Sequence, residues 1–247
     1  MEVMKKYKLT DETKKLWDIT LYRIEALRDF GGIKKGTQGG WIEKESNLSH
    51  EGSCWVGDHA MVYEDARVFG NAQVCENARV YENAQVSGEA RVSGNARVYG
   101  TAQVFGDAQI FGNARVFGDA QVFGNTQVFG NTQVLGNTQV CENARVYENA
   151  QVSGEARVSG NARVYGSAEV CGDAIVSSDT DYIVFKNWWS SGRYFTWTRS
   201  NNKWKVGCFY GTGDELIRKA YKDSELSGRE YERIVRYVDE ILKAEEE

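Results

Sequence analysis

Several things are scarce in this chain of 247 residues. It has no proline, two histidines and five cysteines, with no CxxC pair. Two histidines cannot supply a three-histidine zinc centre. Cysteines without motif spacing fit a reducing cytosol better than a disulfide framework. No apolar run approaches the roughly 18 residues that a spanning helix needs. The first fifteen residues lack the apolar stretch of a secretory leader, so a cytoplasmic location and no membrane contact are expected. P-loop, GxGxxG, GxSxG and HExxH motifs are all missing. The net charge of −5 argues against a general nucleic-acid binder.

What the chain does have is a six-residue repeat. A Val or Ile recurs at every sixth position from Val56 to Val176 without a break, Ile110 being the one Ile. Two residues before most of these stands Ala, replaced by Thr at Thr126, Thr132 and Thr138. Two residues after most stands Gly, or Glu in a few hexads, followed by Asn, Asp or Glu. In a strand, positions two apart share a face, so Ala and Val point inward together. Gly-Asn and Gly-Asp tolerate the backbone angles of a tight corner. Strands this short bury their apolar face only by stacking coil on coil.

Period six with small and aliphatic inward positions resembles the left-handed parallel β-helix of hexapeptide-repeat proteins, with three hexads per triangular coil. That predicts a mainly β chain: nearly seven coils over 54–178, roughly 32 Å long at about 4.8 Å per coil. Residues 1–53 are expected to cap one end, and 179–247 to form a small β-plus-α domain. Three hexads per coil sort the residues after each Val into three outward columns. Tyr99, Phe105, Phe111, Phe117, Phe123, Phe129 and Leu135 then form an apolar belt over all three faces. Such a belt is expected to be a self-association surface, or else a set of aromatic ladders in which each ring shields the next.

Residues 73–100 are repeated identically at 139–166. The offset of eleven hexads is not a whole number of coils, so the copies present their side chains on different faces. This reads as growth of a scaffold. From Val56 to Val176 there are 13 acidic residues, 8 Arg and no Lys, interspersed too evenly for a nucleic-acid mimic. The inward placement of the three Thr rules out an ice-binding array.

The ends carry a more specific resemblance. Segments 22–30 (YRIEALRDF), 39–43 (GGWIE) and 47–49 (NLS), with Glu51-Gly52 and Trp55-Val56, resemble the amino-terminal module of YdcK-like hexapeptide-repeat proteins of bacteria, phages and prophages. Members carry the label of transferase on the strength of their fold, which is analogy. The stretch around 207–212 is similar to carboxy-terminal modules of phage hexapeptide proteins. In the last domain, 182–189, 194–199 and 203–209 predict three strands. Capping boxes at Thr212-x-x-Glu215 and Ser227-x-x-Glu230 predict two helices. Trp188, Trp189, Trp197 and Trp204 are expected to fill that small core, with stacking of a base or sugar as the functional alternative.

The expected function is a non-enzymatic, self-associating scaffold or binding protein, without cofactor or metal. Its partners would be further copies of itself, as a trimer or dimer, and another protein. The resemblance implies an accessory role in an infected bacterial cell, such as inhibition of a host defence factor. A second reading is a trimeric hexapeptide-class acyltransferase using acyl-CoA, with His50 or His59 as base. A third is a small nucleotide or sugar binder using the Trp-rich domain.

Overall fold

Residues 4–246 are described by a computed structural model. Twenty-one short strands, β4 (Trp55–Val56) to β24 (Ile175–Val176), succeed one another at six-residue intervals. They stay short because the residue two after each Val turns the chain, usually a glycine with positive φ, such as Gly100 at 72°. Each strand pairs in parallel with the strand eighteen residues on: Val56 with Val74, Val62 with Val80, Val68 with Val86. Three hexads therefore close one coil. The strands stack into three parallel sheets that are the faces of a prism. The outward columns fall in the order expected from the period. The inward Val, Ile and Ala residues are buried along the whole axis. Each buried Val contributes on the order of 1.5–3 kcal/mol of apolar transfer energy.

Where the corner residue is Glu, the left-handed backbone costs roughly 1–2 kcal/mol. Glu76, Glu82 and Glu142 sit at φ of 60°, 58° and 64°. Their carboxylates offset that cost by accepting the corner amide one coil above. Gly94, Gly100 and Gly160 donate at 2.7, 2.8 and 2.7 Å.

The amino-terminal segment is continuous with the prism. β1 (Tyr7–Leu16) and β2 (Ile19–Ala26) form an antiparallel hairpin, and β2 pairs antiparallel with β3 (Gln38–Ile42). β3 then runs parallel to β5 (Met61–Val62), and Leu48 bridges in parallel to Val68. This begins a further coil before residue 54, so the solenoid has about one turn more than the seven that the hexads provide. The strand β1 has no apolar periodicity to announce it.

The carboxy-terminal sheet has four antiparallel strands rather than three: β25 (Tyr182–Lys186), β26 (Tyr194–Thr198), β27 (Lys203–Val206) and β28 (Phe209–Gly211). Gly207, at φ 56°, turns the chain inside what the sequence suggests is one strand. Helix α1 (Gly213–Asp223) has the expected Thr212–Glu215 capping box. Helix α2 (Glu225–Glu246) starts earlier than Ser227. The cap there is Ser224, whose Oγ accepts from the Ser227 amide at 3.0 Å. Trp197 and Trp204 are buried with Phe195, Leu216, Tyr231 and Val235, while Trp188 and Trp189 lie outside the core.

The two ends of a parallel stack leave opposite groups unpaired. At the last coil the amides of Arg163, Glu169 and Ile175 have no further coil to donate to. They donate instead to Asp179 Oδ1, Thr196 Oγ1 and Ser200 Oγ at 2.7, 2.9 and 2.7 Å, one on each face. At the first coil it is carbonyls that need donors. Asn47 Nδ2 serves Glu64 and Ala66, and the fully buried Lys6 donates Nζ to the carbonyls of Glu51 and Gly52 at 3.2 and 3.3 Å. No helix is long and apolar enough to cross a membrane among the described residues.

Candidate functional site

The two histidines occupy unrelated places. His50 lies in the amino-terminal segment, stacked on Tyr7 with ring centroids 4.3 Å apart. Its Nδ1 accepts the Lys6 amide at 3.3 Å. The neutral ring therefore carries its proton on Nε2. Nε2 is buried without a hydrogen-bond partner among the described residues, 3.9 Å from Glu45 Oε2. Burial pushes the His50 pKa down. A ring whose one acceptor nitrogen is engaged has no free lone pair to take a proton from a substrate. His59 is an exposed corner residue next to the left-handed Asp58, and its amide donates to the Glu76 carbonyl at 3.0 Å.

The belt residues stand in ladders. Tyr63, Tyr81, Tyr99 and Phe117 stack at 4.8–5.1 Å with ring planes within 4°. Phe105 stacks on Phe123 at 4.9 Å. Phe111, Phe129, Tyr147 and Tyr165 stack at 4.8–5.3 Å. Leu135 continues the first column in register above Phe117. Most of the rings are half-buried by one another, while Tyr63 is buried and desolvation raises its hydroxyl to about 12. Each stacked pair contributes roughly 0.5–1.5 kcal/mol beyond its buried area. Shielding by ladders accordingly accounts for part of the belt, while the outer ring edges stay wet.

The cysteines are all free, and Cys75, Cys141 and Cys171 lie in three different columns. Burial drives the Cys171 thiol up to about 11, which makes it a poor nucleophile. No three His, Cys, Asp or Glu side chains gather to hold a metal ion among the described residues.

Two clefts remain. One, of about 640 Å³, is lined by Glu45, His50, Glu51, Arg67 and Phe69 at the amino-terminal end. The other, of about 630 Å³, lies between the last coils and the carboxy-terminal sheet. Glu148, Asn149, Tyr165, Ser167, Asp179 and Tyr194 line it. The sequence offers no sign of this second cleft, because its walls come from four stretches that only the fold brings together. The four Trp split here. Trp197 and Trp204 are structural, whereas Trp188 is 70% and Trp189 73% exposed, on the turn that leads to Tyr194.

A family model described as the YdcK β-solenoid repeat matches residues 72–88, 90–106, 108–124, 138–154 and 156–172. The gap at 125–137 contains Thr126 and Thr132, where the inward Ala is replaced. A protein named "Uncharacterized acetyltransferase YdcK", from Escherichia coli (strain K12), is 38% identical over 69 residues. That match covers 24% of this chain and 21% of the relative, so the chain spans about a fifth of that relative's length. With its hexad period, parallel coils and matched repeats, the chain carries β-solenoid repeats of the YdcK type within residues 72–172.

Proposed function

We propose that this protein is a rigid, self-associating binding scaffold that works through protein–protein contacts rather than by catalysis. The observation that carries this reading is the unbroken series of hexads from Trp55 to Val176. No loop leaves the prism to fold over a substrate. Both histidines have structural surroundings, and His50 has its acceptor nitrogen engaged. The wet edges of the belt around Phe117 and Phe123 supply a repetitive apolar surface on every face, suited to a second copy. Light scattering tests this. The expected mass is a multiple of 27.8 kDa, falling to one chain in Phe117→Ser/Phe123→Ser. A monomeric wild type would overturn self-association through the belt.

Acyl transfer is the second reading, favoured by the printed name of the Escherichia coli relative. It calls for acyl-CoA bound beside His50 or His59. A thermal shift with acetyl-CoA that is lost in His50→Ala or His59→Ala would replace the scaffold reading with this one.

A further inference from the structure

The identical copies 73–100 and 139–166 act as an internal control. Tyr99 and Tyr165 are the same residue of the two copies, and so are Glu82 and Glu148. In the first copy both are used up. Tyr99 is sandwiched between Tyr81 and Phe117 at 4.9 and 4.8 Å. Glu82 accepts the Gly100 amide at 2.8 Å. In the second copy both are released. Tyr165 stacks on Tyr147 at 5.3 Å, with no second stacked ring among the described residues, and is 46% exposed. Glu148 has no side-chain hydrogen bond or ion pair among the described residues, although Gly166 occupies the place of Gly100.

For Tyr165 the reason is geometric, whereas above Glu148 the coil that carries Gly166 is present. The next rung above Tyr165 would be residue 183, eighteen positions on. By then the chain has left the prism, and Ile183 belongs to β25. The cleft of about 630 Å³ opens there, and both Tyr165 and Glu148 line it. The remaining walls include the Asn149 amide, the Ser167 hydroxyl, Asp179 and Tyr194, with Ile183 and Val184 adding an apolar side. Asp179 spends Oδ1 on the Arg163 amide and leaves Oδ2 available.

We propose that this cleft binds a saccharide, with a pyranose ring stacked on the free face of Tyr165 as the next rung of the ladder. A sugar ring presents an apolar C–H face to an aromatic ring and hydroxyls at its rim. Glu148 and Asp179 accept from those hydroxyls, while Asn149 both donates and accepts. The volume suits one or two sugar rings. Two carboxylates disfavour a phosphate-bearing ligand. A cationic ligand is disfavoured at the rim, where Lys186 Nζ already lies 4.9 Å from the Tyr194 ring and 3.9 Å from the Trp188 ring.

The test is calorimetric titration of the full chain with maltohexaose, cellohexaose and chitohexaose. At least one is expected to bind with a Kd on the order of 0.1–1 mM. Tyr165→Ala is expected to weaken it about tenfold or more, through loss of the stacking face. Glu148→Gln, which preserves shape, is expected to weaken it about fivefold by loss of one charged acceptor. If Tyr165→Ala unfolds, Glu148→Gln decides. Silence from all three glycans at about 10 mM, or unchanged affinity in the folded variants, overturns the proposal. Binding of hexalysine with all glycans silent also overturns it and makes the cleft a cation site.

Discussion

The two ends of the prism solve one problem with opposite chemistry. Every interior coil is paired on both sides, as where Arg145 donates to Ala162 and Gln151 to Ala168. The carboxy-terminal end has spare amides, and the chain answers with acceptors on short side chains: Asp179, Thr196 and Ser200. The amino-terminal end has spare carbonyls, and it answers with donors, chiefly the amide of Asn47 and the buried ammonium of Lys6. Short hydroxyls and carboxylates reach an amide without burying a charge deeply. A lysine can serve carbonyls at the closed floor of the prism only by being buried, and desolvation lowers its pKa. The acceptor end therefore holds with short uncharged or exposed side chains, while the donor end adds one buried charge to the backbone amides of Trp41, Glu43 and Ser49.

That difference can be broken most forcefully at Lys6. Lys6→Met keeps most of the side-chain volume and leaves two carbonyls without a donor. A loss of about 3 kcal/mol in urea unfolding is expected. Unchanged stability would mean that water reaches this floor and the contrast between the ends is illusory. Thr196→Val removes one of three acceptors and should cost less, about 1–2 kcal/mol, with faster hydrogen exchange at the Glu169 amide. The interior supplies a contrast of opposite sign. Thr126, Thr132 and Thr138 form one coil whose three buried hydroxyls have no partner among the described residues. Replacing all three with Val should raise the melting temperature, each change contributing about 1 kcal/mol or more.

The smallest effect is a pH dependence confined to the donor end. The His50 pKa is lowered from 6.5 by burial. The unfolded chain then binds this proton at higher pH than the native one does. The stability is fully present above pH 6.5 and is lost as pH falls through the native value. Melting curves should show wild type losing more stability than His50→Gln between neutral and mildly acid pH. Parallel curves would remove His50 from the account.

The sequence made the interior legible because period and geometry coincide there. Val62 pairing with Val80, the ring columns and the inward Thr all follow from eighteen residues per coil. The ends obey no such period. The strand Tyr7–Leu16 is mostly charged and polar, so neither propensity nor alternation marks it. Gly207 splits a run that reads as one strand, and Ser224 outcompetes the better-matched Ser227 as a cap because α1 ends directly before it. The cleft was illegible for a different reason. Tyr165 and Tyr99 stand in identical segments and differ in whether a coil follows on their face. The exposed pair Trp188–Trp189 likewise cannot be told from the buried pair Trp197 and Trp204 by residue type.

Eighteen residues per coil also make the hexad a unit of azimuth as well as of length. Each hexad added to the solenoid moves the far terminus by about a third of a 4.8 Å step and turns it by about 120° around the axis. An insertion of eleven hexads, the spacing of the two identical copies, therefore swings everything beyond it through about two-thirds of a revolution. The carboxy-terminal domain survives such a swing because it grips all three faces through backbone amides that are alike. Duplication or loss of hexads thus works as a ratchet, re-aiming the carboxy-terminal surface against the amino-terminal one while the joints at both stay intact.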